Sequence, residues 1–207
     1  MPDSYLKFII SEYKAKLAGK WPAEISELRK ETSVLSEFDQ FLTSHINCFS
    51  RQNQFGHITG SAMVLSPDGS EIVMTLHKKL GKWLQLGGHS DENPLTFVVS
   101  LNEVKEESGL ESLELLCPTN PKQYVLPDRV LPLDLNVHLI PARPNEPEHF
   151  HFDVVYLMRS SEKKLKISDE SDDLRWIKIE NIQSITDEVC TLRQIEKIKW
   201  LKNKFNM

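Results

Sequence analysis

Gly87-Gly88-His89, and further on Asn102-Glu103-Val104-Lys105-Glu106-Glu107-Ser108-Gly109-Leu110, carry the most information in the 207-residue chain. Glu103, Glu106 and Glu107 stand at i, i+3 and i+4, so a helix places all three carboxylates on one face. Like charges there repel, and a cation offsets the repulsion. A cluster of oxygen donors suits a hard cation, Mg2+ or Mn2+. The glycine pair upstream lets the backbone come close to a ligand and present a carbonyl to it. Gly109 fits the C-terminal stop of the helix, while Asn93 and Pro94 suit its cap and first position, which predicts a helix from about Asn93 to Ser108. An E-x-x-E-E run alone is more often a solvated acidic face than a metal site, so the flanking residues decide.

Outward from this stretch the period changes. Ile58–Leu65 and Glu71–His77 read as strands joined by the turn Ser66-Pro67-Asp68-Gly69, and Leu80-Gly81-Lys82 turns the chain into Trp83-Leu84-Gln85-Leu86. Later strands are expected at Leu113–Cys117, Leu133–Ile140, Phe150–Met158 and Leu174–Ile177, and a last helix from Asp187 to Asn203. Residues 1 to about 55 read as helical. Ser4 is the expected cap of a helix with Tyr5, Phe8, Ile9, Tyr13 and Leu17 on one broad face. A second pattern uses Ile25 and Leu28; a third uses Leu35, Phe38, Phe41, Leu42 and Ile46 and ends near Phe49. Packing against the body of the protein is the plain expectation for these side chains, with a dimer surface or a lid as the alternative. The chain is therefore mixed α/β, with a helical extension over 1–55 and an α/β domain over 56–207.

Composition bounds the function. Hydrophobic residues make up 40% and charged residues 27%, which reads as soluble and globular. A formal charge of -5 announces no phosphate-backbone footprint, so nucleic acid is not the expected partner. No apolar run approaches membrane-spanning length. Cys48, Cys117 and Cys190 are far apart and form no C-x-x-C pair, as expected of reduced thiols in a cytoplasmic protein.

The stretch resembles the Nudix box, G-x5-E-x7-R-E-U-x-E-E-x-G-U, where U is a bulky aliphatic residue. Gly88 to Leu110 fills the 23-residue frame without insertion or deletion, and Gly88, Glu103, Val104, Glu106, Glu107, Gly109 and Leu110 match it. His77 to Gln85 looks like the family's entry into the box, and Glu170 … Trp176 like a later segment in which an acidic residue precedes a Trp. The resemblance covers roughly residues 57 to 185. Two positions depart: Pro94 replaces the first motif glutamate and Asn102 the arginine. In the family these two brace the loop and helix; Asp91 or Glu92 is available to replace the missing carboxylate.

The resemblance implies an α/β/α Nudix sandwich with a mixed sheet. It implies hydrolysis of the diphosphate linkage in a nucleoside diphosphate joined to another moiety, such as a nucleotide sugar, ADP-ribose or a CDP-alcohol. Divalent metal, Mg2+ or Mn2+, would be held by Glu103, Glu106, Glu107 and the Gly87 carbonyl, with Glu170 or Glu106 as the base. The competing expectations are a Nudix-fold nucleotide-binding module without turnover, and an enzyme that processes RNA ends. A homodimer is compatible with either.

A second constellation lies downstream. Asp134, Asn136 and His138 alternate along one strand, and His149, His151 and Asp153 along the next, with Phe150 and Phe152 on its reverse face. Two such polar stripes can line one pocket. We expect His89, His138, His149, His151 and Asp153 to contact substrate, against the alternatives of a polar sheet face with satisfied hydrogen bonds and a zinc site. Arg129 and Arg143 are the cations considered for phosphate, and Trp83, Trp176 and Tyr156 the rings considered for base stacking, although surface solvation and core packing are their commoner fates.

Overall fold

The computed structural model describes residues 3–22, 24–25, 31–144 and 146–207. Leu28, expected on the second helical pattern, lies outside them. Eight strands form one mixed sheet: β1 (Gly56–Leu65), β2 (Glu71–His77), β3 (Lys82–Leu84), β4 (Leu86–His89), β5 (Leu113–Leu116), β6 (Asp134–Ile140), β7 (His149–Ser160) and β8 (Ser171–Lys178). Its spine is β1 against β7, parallel from Gly56 opposite Phe150 to Leu65 opposite Arg159. The other pairings are antiparallel; β4 flanks β1, and β6 flanks β7 with Asn136 opposite Asp153 and His138 opposite His151.

Strand alternation sorts the side chains of this spine onto two faces. Phe152 and Tyr156 point to one. There α1 (Ser4–Lys16), α2 (Glu31–Ser44) and α3 (Thr96–Ser108) pack on the sheet. The Phe152 ring stacks on Phe41 at 3.9 Å and meets Phe38 edge-on, and Tyr156 Oη and Thr96 Oγ1 lie 2.9 Å apart. His57, Thr59, Ser61, His151 and Asp153 point to the other face, part of which α4 (Val189–Phe205) covers. The result is the α/β/α sandwich expected, with all ten residues of β1 buried between the layers.

The N-terminal helices share the sheet's hydrophobic core, to which Leu6, Ile10, Tyr13, Phe38 and Phe41 belong. Their details differ from the sequence-based expectation. Asp3, not Ser4, is the N-cap of α1, and the buried face is Leu6, Ile9, Ile10 and Tyr13. Phe8 turns outward, where Arg129 lies 5.0 Å from its ring centroid. Ile46 lies beyond the end of α2 and is 85% exposed. Helix α3 begins at Thr96, three residues after the cap expected at Asn93, because the Asn93 side chain instead accepts the Leu95 N–H at 3.0 Å and closes a turn ahead of Pro94's successor. Its other end is as expected: Gly109 adopts φ 69° and its N–H bonds the Lys105 carbonyl at 2.8 Å.

One polar group inside the sandwich corrects the sequence analysis. Asp134 lies on the same face of β6 as Asn136 and His138, yet it does not join a pocket with them. Helix α4 covers it: Arg193 donates to Oδ2 through Nε (3.0 Å) and Nη2 (2.6 Å), and Lys197 Nζ donates to Oδ1 (2.8 Å). Lys197 also reaches Tyr13 Oη (2.9 Å) and Glu31 Oε1 (3.1 Å), so α1 and α2 are tied to α4 around the β6 edge. Burial alone would push Asp134 up, but Lys197 and Arg193 hold its carboxyl below the usual range.

Candidate active site

A cleft of about 430 Å3 opens between the end of β4, helix α3 and the β6–β7 strands. Its chemistry begins at the glycine pair. The Gly87 N–H donates to Glu107 Oε2 at 2.9 Å. A Cβ on Gly88 would stand 2.5 Å from Glu103 Oε1, so a side chain there would displace this carboxylate from the backbone it lies on. Both acids are therefore pressed against the loop, Glu107 being 8% exposed. Glu106, one position earlier on the helix, is exposed and lines the cleft, as does Glu170 just before β8.

The electrostatics follow from this crowding. Burial pushes the Glu107 carboxyl up to about 8; Glu103, Glu170 and Glu106 add to the shift, and the Gly87 N–H opposes it. Burial likewise pushes Glu103 up to about 7, with Glu106 and Glu170 adding repulsion. The same carboxylates that resist ionisation alone are an oxygen-donor set suited to a hard divalent cation. Residues and donor chemistry thus fit Mg2+ or Mn2+.

On the sheet side, five of the seven histidines gather: His57, His89, His138, His149 and His151. Asn136 Nδ2 and His138 Nδ1 lie within hydrogen-bonding distance, 3.2 Å apart. Asp153 lies beneath, 2% exposed, and accepts from Thr59 Oγ1 (2.8 Å) and Ser61 Oγ (2.7 Å). Burial pushes Asp153 up, against the pull of His138 and the two hydroxyls. Burial pushes His57 and His89 down to about 4; His149 repulsion adds to the first, whose ring the Asn53 carbonyl pulls weakly the other way, and Arg51 repulsion adds to the second. His151 is lowered too, by burial and then by His138 and His89.

Most of the residues singled out from sequence meet here. Gly87, Glu103, Glu106, Glu107, Glu170, His89, His138, His151 and Asp153 line the one cleft. His149 does not line it; its ring sits behind His151, against Glu146 and Pro147. Asp91 is on the rim and Glu92 is not, its N–H bonding the Phe49 carbonyl instead. Arg143 faces the cleft from the Pro141–Glu148 loop, whereas Arg129 is spent on Phe8. Tyr156 is core, Trp176 donates to the Lys163 carbonyl (2.9 Å), and Trp83 stacks under Arg175. No Phe, Tyr or Trp is among the described residues lining the cleft.

Sequence reasoning missed Arg51, which follows α2 and lies upstream of the resemblance. Its guanidinium grips Asp91 through both oxygens (2.5 and 2.7 Å), across 40 residues of sequence. It also missed His57, which the parallel register sets beside His151. No local pattern marks either residue.

These shifts make a prediction about the metal-free protein. Glu103 and Glu107 bind protons more tightly folded than unfolded, so their contribution is present at low pH and is lost as pH rises toward 7 and 8. His57 and His89 bind protons less tightly folded, so theirs is lost as pH falls from about 6.5 toward 4. Between pH 6.5 and 8 the carboxylate effect acts without the imidazole one. Melting temperature in EDTA is expected to fall across that interval, and saturating Mg2+ to flatten the slope. An equal slope with and without Mg2+ would show that the carboxylates do not meet the cation.

No protein-family model and no curated protein matches the sequence. Solved structures do match in fold. A hydrolase of the NUDIX family from Clostridium perfringens is 26% identical, with 70% of this chain and 97% of that one covered and a TM-score of 0.52. An Ap4A hydrolase of C. elegans is 14% identical over 72% of this chain and 98% of that one, with a TM-score of 0.51. The dihydroneopterin triphosphate pyrophosphohydrolase of E. coli is 13% identical over 70% and 95%, with a TM-score of 0.51. The last two are similar in fold alone. Among the described residues no helix is long and apolar enough to cross a membrane.

Proposed function

We propose that the chain is a Nudix hydrolase and that it hydrolyses, with Mg2+ or Mn2+, the diphosphate linkage of a nucleoside diphosphate joined to a second moiety. A nucleotide sugar, ADP-ribose or a CDP-alcohol are the substrate types in view. The observation that carries this is the pair of acids, Glu103 and Glu107, held against Gly87-Gly88 at the cleft floor.

Charge explains why a metal is needed. The cleft presents Arg51, Lys79 and Arg143, but Asp91, Glu103, Glu106, Glu107, Glu146, Asp153 and Glu170 outnumber them. An anionic diphosphate would be repelled without divalent cations. Glu103, Glu106, Glu107 and the Gly87 carbonyl would hold them. Bound there, the metal supplies charge neutralisation on the phosphoryl oxygens and a more acidic water.

The chain's own groups do the rest. Water adds across the P–O–P bond: its oxygen joins one phosphorus, and the bridging oxygen leaves with the other. One proton of the water passes to a carboxylate, Glu170 or Glu106, both exposed at the cleft wall, and the other stays on the oxygen newly bonded to phosphorus. Arg143 and Lys79 are placed for the substrate's remaining charge. His89 and His138 face the cleft as polar contacts, with His151 beside them and Asp153 fixing the floor through Thr59 and Ser61. With no larger aromatic ring among the described lining residues, a nucleobase would rest on imidazole and on Leu80, Leu84 or Ile140.

The test is a panel of such diphosphates incubated with the full chain, with and without Mg2+ or Mn2+, and resolved by ion exchange. The expected products are a nucleoside monophosphate and the phosphorylated second moiety, only with metal. Binding without turnover across the panel would instead establish the nucleotide-binding module.

A further inference from the structure

Two members of the imidazole cluster, His57 and His149, have no part in the proposed hydrolysis, and both stand against His151. His57, His149 and His151 each place one ring nitrogen within 4.8 Å of the others. The closest pair, His149 Nε2 and His151 Nε2, is 3.2 Å apart. A tetrahedral ion bound at 2.0–2.1 Å by two imidazoles holds their nitrogens about 3.3 Å apart. This pair, itself within hydrogen-bonding distance, already stands at that separation, and the His57 nitrogen lies within 4.8 Å of both.

Two further observations point to a ligand. His149 Nδ1 lies 2.8 Å from the Pro147 carbonyl, which can only accept. The proton of a neutral ring is then on Nδ1, and the Nε2 lone pair is aimed at His151. Anchoring of the far nitrogen by a carbonyl is how metal-ligating imidazoles are oriented. His57 is 3% exposed, and apart from the Asn53 carbonyl neither of its ring nitrogens has a hydrogen-bond partner among the described residues. A neutral imidazole carries one N–H and one lone pair; a carbonyl can take only the N–H, which leaves the enclosed lone pair without a donor. A cation would use the lone pair.

We propose that His57, His149 and His151 form a second metal site, for a divalent cation of the zinc class, separate from the carboxylate site. Nitrogen donors select Zn2+, Co2+, Ni2+ or Cu2+ over Mg2+, the reverse of the preference of Glu103 and Glu107. The site is built on rigid backbone, since His57 and His151 are register partners on β1 and β7 and His149 is two residues earlier on the same strand. Glu146 Oε1, 3.7 Å from His149 Nε2, is placed to supply a fourth ligand. An ion there fastens the Pro141–Glu148 loop, and with it Arg143, to the sheet edge beside the cleft.

The test uses the full chain stripped with EDTA and titrated with Co2+ in excess Mg2+. The expected result is one Co2+ per chain with the visible absorption of a nitrogen-rich site of low coordination number, displaced by Zn2+. The signal should vanish in His57→Ala and His149→Ala and persist in Glu107→Gln. A signal unchanged by the histidine substitutions, or none in the unmodified chain, would overturn the proposal. Crystals of the unmodified chain soaked in Zn2+ give a readout that does not depend on variants folding. Anomalous density at the zinc edge is expected between the three nitrogens, and its absence there would refute the site even if diphosphate hydrolysis is found.

Discussion

Glu107→Gln is expected to lower turnover at saturating Mg2+ by roughly a hundredfold to a thousandfold, while the metal-free protein melts at a higher temperature than the parent. Lewis-acid stabilisation by a bound ion is worth several kcal/mol in the transition state, and each 1.36 kcal/mol is about tenfold in rate. Losing one of its ligands forfeits much of that. Folding moves the other way. Glutamine keeps an oxygen to accept the Gly87 N–H, and it removes a carboxylate that burial and neighbouring acids have pushed up to about 8. Structural damage would lower both quantities together, so the opposite signs distinguish a ligand from a scaffold residue. Turnover equal to the parent's at saturating Mg2+ would remove Glu107 from the metal site.

Asp134→Ala should be the most destabilising single change outside the apolar core, by about 3–5 kcal/mol, because it leaves buried cations without their counter-charge. Asp134, Arg193 and Lys197 are 2%, 4% and 2% exposed, so water has little access to replace the lost partner. Against a total stability of about 5–15 kcal/mol, a loss of this size approaches unfolding at growth temperatures. Lys197 keeps Tyr13 and Glu31, which moderates the effect. Since the folded Asp134 carboxyl is held below its usual range, the parent protein should lose this contribution as pH falls beneath that range. Denaturant midpoints measure both. A loss below about 1 kcal/mol would mean that Glu31 alone neutralises the pair.

What sequence could and could not reveal follows from the range of the interactions. The i, i+3, i+4 glutamates, the Gly109 stop and the alternation of His149, His151 and Asp153 are local. Helix and strand periodicity write them into neighbouring positions, and the structure places Glu103, Glu106 and Glu107 on one cleft-facing side of α3. The Asn93 cap failed for a local reason too, because a short polar side chain can satisfy a turn as readily as a helix end. Asp134 was misplaced because alternation gives a residue's face but not what covers that face; α4, which does, comes 55 residues later. Arg51 and His57 join the site through tertiary contacts alone, one by an ion pair to Asp91 and one by a parallel strand register. With Pro94 and Asn102 at the two departing positions, Glu103, Glu106 and Glu107 still face the cleft, and the Arg51–Asp91 pair ties the turn ahead of Pro94 to the segment after α2.

The central claim is that the carboxylates of α3 and the Gly87-Gly88 backbone form the cation site on which diphosphate hydrolysis depends. Crystals of the unmodified chain soaked with Mn2+ test it directly, through anomalous scattering that locates the ion. Density is predicted beside the Glu103 and Glu107 carboxylates and the Gly87 carbonyl, at oxygen–metal distances of about 2.0–2.3 Å. Mn2+ bound elsewhere in the cleft, with nothing between those two glutamates and the glycine pair, would contradict it.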